Sequence, residues 1–197
     1  MCPTNPEDML SRARNYTMAV LAAESGLRAN EILHLTVDYL FFDSSKLQTR
    51  HAKGKRGSGK RSRTTLFPPL SRDTVRHYLE HCRPRFQNAK ESNLLFLSFS
   101  GSGISLQYLS KIMREFIKVA QTQNFAVHSH MSWHWFRRIF ATRFIERFPH
   151  KMPVLLELLG HSNFATVHRY IKHSGAWMDD EIQSIFGKVE VWQYDGN

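Results

Sequence analysis

The chain has 197 residues, enough for one sizeable domain with a real hydrophobic core, and its 42% apolar share is ordinary for a globular protein. Its 27 Lys+Arg against 17 Asp+Glu give a formal charge of +10, which points to a polyanionic partner, with nucleic acid ahead of acidic membrane. No apolar run approaches the length of a membrane span, MCPTNPEDML lacks the layout of a signal peptide, and Cys2 and Cys82 make neither a disulfide framework nor a CxxC site, so a reduced, intracellular compartment is expected.

In chain order, residues 7–24 read as a helix. Met9, Leu10, Ala13, Val20 and Leu21 recur near helical spacing, Glu7 and Asp8 sit at its positive end, and Gly26 stops it. Leu27 to Leu35 reads as a second, short helix in which Arg28 and Glu31, at i and i+3, share a face. Val37 to Phe42 and Lys46 to Ala52 read as strands joined by Asp43-Ser44-Ser45, and Thr64 to Phe67, stopped by Pro68-Pro69, reads as a third. The expectation is a three-stranded antiparallel sheet with a long, glycine-containing basic hairpin.

The segment from Arg50 to Arg63 holds seven Lys/Arg and no acid, and without it the charge balance falls to 20 against 17. Charge concentrated in one loop favours a binding surface, with Lys55, Arg56, Lys60, Arg61 and Arg63 as the expected DNA contacts. Beyond it, Ser71 and Asp73 can open a helix through residue 82. Leu94 to Phe99 is a short run expected to be buried, and Ser105 caps an amphipathic helix to about Thr122. Residues 132–148, 152–159, 163–172 and 176–186 complete the expected helices, with no internal repeat, low-complexity tract or interdomain linker.

The stretch from Trp133 to Tyr170 sets histidines, arginines and one late tyrosine between apolar segments. Phosphodiester cleavage needs that mixture of cations, proton donors and a nucleophile. His134 and Arg137 share a helix face, whereas His161 and Tyr170 would face opposite ways on one continuous helix. Both can reach a single phosphate only if the chain turns near Gly160-His161. The spacing of His128, His130 and His134 matches no common zinc pattern, and no metal is expected.

GLRANEILHL at 26–35, AKGK at 52–55, HWFRRIFATRF at 134–144 and LLGHSNFATVHRY at 158–170 together resemble the tyrosine recombinases, the phage-integrase and Xer family. The resemblance covers residues 7 to 180 and follows the family's order: an arginine in a Gly-Leu-Arg-x-x-Glu helix, a hairpin lysine, His-x-x-Arg, Leu-Gly-His, then tyrosine. It implies a mainly α catalytic domain with a small three-stranded antiparallel β-sheet. Arg28 and Arg137 match the two arginines that clamp the phosphate, and His134 can hydrogen-bond the phosphate or assist the tyrosine proton. His161 matches the histidine that contacts the phosphate from the other side, and Lys53 the hairpin lysine that protonates the leaving 5′ oxygen. Tyr170 matches the nucleophile, and Glu31 the acidic position that supports the arginine. Guanidiniums suit the role because they stay charged and bind phosphate oxygens in bidentate fashion. Side chains supply every cation, so the resemblance implies no cofactor.

The implied activity is site-specific recombination or integration through a 3′-phosphotyrosyl intermediate and a Holliday junction, in a tetramer on double-stranded DNA, in the cytoplasm of a bacterial, archaeal or phage-host cell. The other readings are DNA relaxation of the type IB topoisomerase kind and an inactive DNA-binding regulator on the same fold. Two departures from the family pattern stand out. Arg138 occupies a position where many members have histidine, and the hairpin is long enough for Lys55 or Lys60 to replace Lys53. The chain is expected to be one catalytic domain, residues 1–197. No N-terminal DNA-gripping domain of the family's kind is expected within it, and its tail, 181–197, is expected either to dock on a neighbouring protomer or to pack on its own domain.

Overall fold

A computed structural model describes residues 5–52, 61–127 and 129–160. Helix α1 (Pro6–Ser25) packs against the next long helix, the sheet and the helix that carries the His-x-x-Arg motif. Its start is encoded locally: the Asn5 side chain accepts from the Glu7 amide at 3.0 Å, Pro6 takes the first turn, and Glu7 and Asp8 meet the positive end of the helix. Its end is Gly26, at φ 63° and ψ 33°, a left-handed conformation that favours glycine. A Cβ there would lie 2.5 Å from Phe140 Cδ1, so the missing side chain also lets that ring pack on the helix end.

Helix α2 (Ala29–Leu33) follows, shorter than the sequence suggests. The expected first strand is mostly a 3₁₀ turn, Val37–Tyr39, and only β1 (Leu40–Phe41) pairs with β2 (Lys46–Ala52). The cause is a competing partner. The Val37 amide donates to Asn93 O at 2.9 Å and the Leu95 amide to Leu35 O at 2.8 Å, which draws this backbone onto the buried 94–97 segment.

Strand β3 (Arg61–Leu66) completes an antiparallel sheet of order β1-β2-β3, in which Thr49 faces Arg63 and Leu47 faces Thr65. Along β3 the period-2 alternation is strict. Ser62, Thr64 and Leu66 are exposed, while Arg63, Thr65 and, just beyond the strand, Phe67 are buried.

Helix α3 (Pro69–His77) widens into a π turn over Tyr78–Cys82 before a 3₁₀ turn at Arg83–Arg85. Pro84 accounts for the widening, because in α geometry its ring would collide with the carbonyl four residues back. Helix α4 (Leu106–Thr122) is capped by Ser105, whose hydroxyl accepts from the Tyr108 amide at 3.2 Å. Arg14, buried in α1, ties both the segment before α4 and the first turn of α4 to α1, through Leu97 O at 2.8 Å and Tyr108 Oη at 2.7 Å.

Helices α5 (His134–Arg147) and α6 (Met152–Leu159) close the described chain. Phe140, Ala141, Ile145, Met152, Leu155 and Leu159 form an apolar cluster of their own between them. The expected helices at 163–172 and 176–186, and the tail, lie outside the described residues. The expected mainly helical class with a small antiparallel sheet holds.

Candidate active site

Four distant stretches of sequence meet at the C-terminal end of α6. The first contribution is the reversal after α1. Arg28 stands at the N-cap of α2, and Glu31 at the third helical position reaches back to accept the Arg28 amide at 2.7 Å, one half of a capping box. The same carboxylate accepts from Arg28 Nη1 at 3.0 Å, so the i, i+3 pair read from the sequence is made.

The second contribution is Arg63, from the buried face of β3. Its Nε donates to Glu31 Oε1 at 2.9 Å and its Nη2 to Oε2 at 2.6 Å, a fork-to-fork pairing with the carboxylate. Nη2 also reaches Gly26 O at 3.3 Å, and Nη1 donates to Leu158 O. Arg63 was expected among the DNA contacts, and the structure corrects this: the residue is 8% exposed and its guanidinium is committed to internal acceptors. A sequence signal for this existed. Extending the expected third strand back one residue puts Arg63 in phase with Thr65 and Phe67, the inward positions.

Arg137, from the second turn of α5, is fully buried. It donates from Nη1 to Gly26 O at 2.6 Å and from Nη2 to Leu159 O. Arg28 Nη2 lies 3.4 Å from Gly160 O. Three arginines therefore hold three successive carbonyls, Leu158, Leu159 and Gly160, at the negative end of the α6 dipole, where cations are favoured.

Gly160 ends α6 at φ 59° and ψ 43°, and a Cβ on it would lie 2.8 Å from Arg63 Cδ. The expected break before His161 is thus present, because helix α6 stops at Leu159. His161, Tyr170, Lys53, Lys55, Arg56 and Lys60 fall outside the described residues, and Arg61 is described only through its place at the start of β3.

Electrostatics divide the site. Burial pushes the Glu31 carboxyl up, but the hydrogen bond and charge of Arg63, with the amide and charge of Arg28, outweigh it and hold the pKa below the ordinary glutamate value. Glu31 is ionised at neutral pH and neutralises one of three guanidinium charges. Of those three, Arg28 keeps an open edge, its side chain 27% exposed against 6% for Arg63. The sequence reading expected two guanidiniums facing a phosphate. Arg28 has an exposed edge open to such a partner, whereas Arg137 bridges two chain segments from within.

His134, at the first position of α5, is exposed, yet partial loss of water around its ring lowers its pKa, and the charges of Arg137, Arg138 and Arg28 lower it further. A neutral imidazole beside the arginine cluster can accept a proton. An open groove of about 390 Å³ runs from His134 and Ala29 to Ser110 and Arg114 on α4, residues that the motif reading did not single out. Arg138 lies over the Trp135 ring at 4.7 Å, a cation–π contact on the α5 surface. Among the described residues no three His, Cys, Asp or Glu side chains are grouped to hold a metal ion, and no helix is long and apolar enough to cross a membrane.

The phage integrase family model matches residues 4–176, a span that includes all four converging stretches. The chain belongs to the phage integrase family. Among its relatives, the tyrosine recombinase XerD of Lacticaseibacillus casei is 28% identical over 157 residues, covering 80% of this chain and 50% of that protein. The tyrosine recombinase XerC of Neisseria meningitidis serogroup C is 27% identical over 170 residues, 86% of this chain and 50% of the relative. The chain thus spans about half the length of these relatives.

The fold agrees. The XerH site-specific recombinase bound to a palindromic difH substrate in a post-cleavage complex superposes with a TM-score of 0.71 at 20% identity, over 92% of this chain and 47% of the other. The Tn1549 transposon integrase in complex with a circular intermediate DNA gives 0.68 at 19%, over 93% and 65%.

Proposed function

We propose that this integrase-family chain cuts and rejoins DNA strands as a site-specific recombinase, through a 3′-phosphotyrosyl intermediate and a Holliday junction. The observation that carries the reading is the convergence of Arg28, Glu31, Arg63 and Arg137 on the end of α6, the residue before His161. Such a cationic pocket suits the charge that builds on a five-coordinate phosphorus. The DNA bound by the XerH and Tn1549 structures supports DNA as the partner here.

In the proposed reaction the Tyr170 hydroxyl attacks the phosphorus and passes its proton to neutral His134. Arg28 and His161 hold the non-bridging oxygens, joined by Arg137 as DNA displaces one of its carbonyl partners. The bond from phosphorus to the 5′ oxygen breaks, and Lys53 protonates that oxygen. A 5′-hydroxyl from another strand then attacks the phosphotyrosine and releases Tyr170, so the energy of the broken bond is retained. Strand exchange between two duplexes calls for a tetramer on DNA, acting in the cytoplasm on nucleoid or element DNA.

The test is covalent capture. Nicked duplexes of randomised sequence are incubated with the protein, denatured in detergent, and the attached strands sequenced. The expected result is a recurring captured site whose 3′ phosphate is joined to Tyr170, lost in Tyr170→Phe. Capture that persists in that variant would overturn the nucleophile assignment. On two copies of the captured site joined recombinants are expected, and relaxation alone would mean topoisomerase chemistry instead.

A further inference from the structure

The buried carboxylate of Glu31 has more positive charge around it than it can neutralise, and how its neighbours divide that charge decides what Arg28 can do. Glu31 accepts four hydrogen bonds, two from Arg28 at 2.7 and 3.0 Å and two from Arg63 at 2.9 and 2.6 Å. The Arg63 pair is the stronger recognition, because both of its donors are guanidinium N–H groups in a fork matched to the two oxygens. Only one guanidinium N–H of Arg28 meets the carboxylate, and the other Arg28 contact is its backbone amide. Arg63 is also the more buried partner, its side chain 6% exposed against 27% for Arg28.

Resting on the strand-cleavage reading, we infer that Arg63 is a positioning residue of this site: it serves as the counter-ion of Glu31, which leaves the Arg28 charge for a phosphate, and it fixes the end of α6 through Leu158 O. Without Arg63 the Glu31 carboxylate would be buried against Arg28 alone. The two would close into a tighter pair, because an unpaired buried charge is costly, and the cation facing the phosphate would be neutralised. Arg63 also sits on β3 at the foot of the basic hairpin and touches both Gly26 O and Leu158 O. It thus joins hairpin stem, α1 terminus and α6 terminus in one contact set.

Three variants test this: Arg63→Met, Arg63→Lys and the double variant Arg63→Met/Glu31→Gln. The double variant removes the unmatched carboxylate charge, so it guards against misfolding of the single one. The activity-free readout is titration of inorganic phosphate against the guanidinium N–H signal of Arg28 in NMR. Arg63→Met should weaken phosphate binding about tenfold, Arg63→Lys less, and the double variant should recover most of the loss, as expected when one desolvated charge is removed and then balanced. Equal binding in wild type and Arg63→Met, or no recovery in the double variant, would overturn the assignment.

On a captured duplex, the single-turnover cleavage rate of Arg63→Met should fall about 100-fold at saturation, the scale of removing one preorganised electrostatic partner. DNA affinity should hold to within about threefold. A residue that instead contacted the DNA backbone would lose affinity, reduce the salt slope by about one and keep its saturated rate, and that pattern would also overturn the assignment. A wild-type chain that captures no duplex would sink the strand-cleavage reading alone, since the phosphate titration decides the role of Arg63 by itself.

Discussion

Glu31 is the residue on which the site's charge balance turns, and its ionisation makes a prediction about stability. Its folded-state pKa lies below the ordinary value, so its contribution is fully present above the unfolded pKa, about 4.3, and is lost as pH falls through the lower folded value. Wild-type stability should therefore fall more steeply than that of Glu31→Gln as pH drops below about 4.3, measured as urea midpoints across that range. Glu31→Ala strips two arginines of their acceptor and should cost about 3 to 5 kcal/mol at neutral pH, the scale for breaking a buried ion pair. Parallel acid limbs for wild type and Glu31→Gln would contradict the depressed pKa.

His134 has the same sign for a different reason. Its pKa is lowered, so the unfolded chain binds the extra proton first and stability rises with pH through the window just below the ordinary histidine value of about 6.5. The imidazole signals of His134 should titrate below that value in the free protein. Addition of inorganic phosphate should raise the midpoint, because an anion offsets the three guanidinium charges. At this scale the Arg28–Glu31 pair was readable in the sequence from helical spacing alone, and motif order pointed to a histidine that the structure sets close to the charges of Arg137 and Arg28. Arg63 was misread. Its basic neighbours made it look like a surface cation, and only the parity of β3 reveals the inward face. The burial of Arg137 was also out of reach, because carbonyls from Gly26 and Leu159 come to it from positions 111 and 22 residues away.

Among the elements, helices were read closely where a local residue marks one end. Helix α4 begins one residue after its Ser105 cap, and α6 has the bounds that periodicity and Gly160 gave it. Elements set by tertiary partners were not. Val37 to Tyr39 has strand composition yet curls into a 3₁₀ turn, because Thr36 and Val37 bond the 93–94 segment, and no local pattern announces that pairing. The two glycines that end α1 and α6 support a further prediction. Both are left-handed, so alanine at either costs about 1 to 2 kcal/mol in backbone strain. Gly26→Ala must also push Phe140, a buried ring in a close-packed cluster, and overpacking of that kind adds about 1 to 3 kcal/mol. Gly160→Ala meets the Arg63 side chain instead, which can shift, but only by leaving Leu158 O or Glu31. Gly26→Ala should thus be the less stable protein in urea, and Gly160→Ala should lose more captured DNA per unit of stability lost. Equal effects on both measures would mean that the two turns differ only in backbone strain.

For the whole molecule the governing quantity is where the +10 sits. Cations spread evenly attract DNA from a distance but are screened beyond about 8 Å at physiological salt, so only those that touch phosphates release counter-ions. The sequence places six of the hairpin cations, once Arg63 is withdrawn into the core, between Arg50 and Arg61. Two variants of equal net charge separate location from total. Gln at Lys55, Arg56, Lys60 and Arg61 lowers the charge from +10 to +6, and Gln at the exposed Arg12, Lys46, Arg85 and Lys90 does the same. Every phosphate that is no longer neutralised takes about 0.9 off the slope of log K against log salt. The hairpin variant should therefore lose about three to four units of slope on a duplex of any sequence, and the scattered variant less than about one. Equal slopes from filter binding across a salt series would show that the chain holds DNA by overall charge, and would take the hairpin out of the interface.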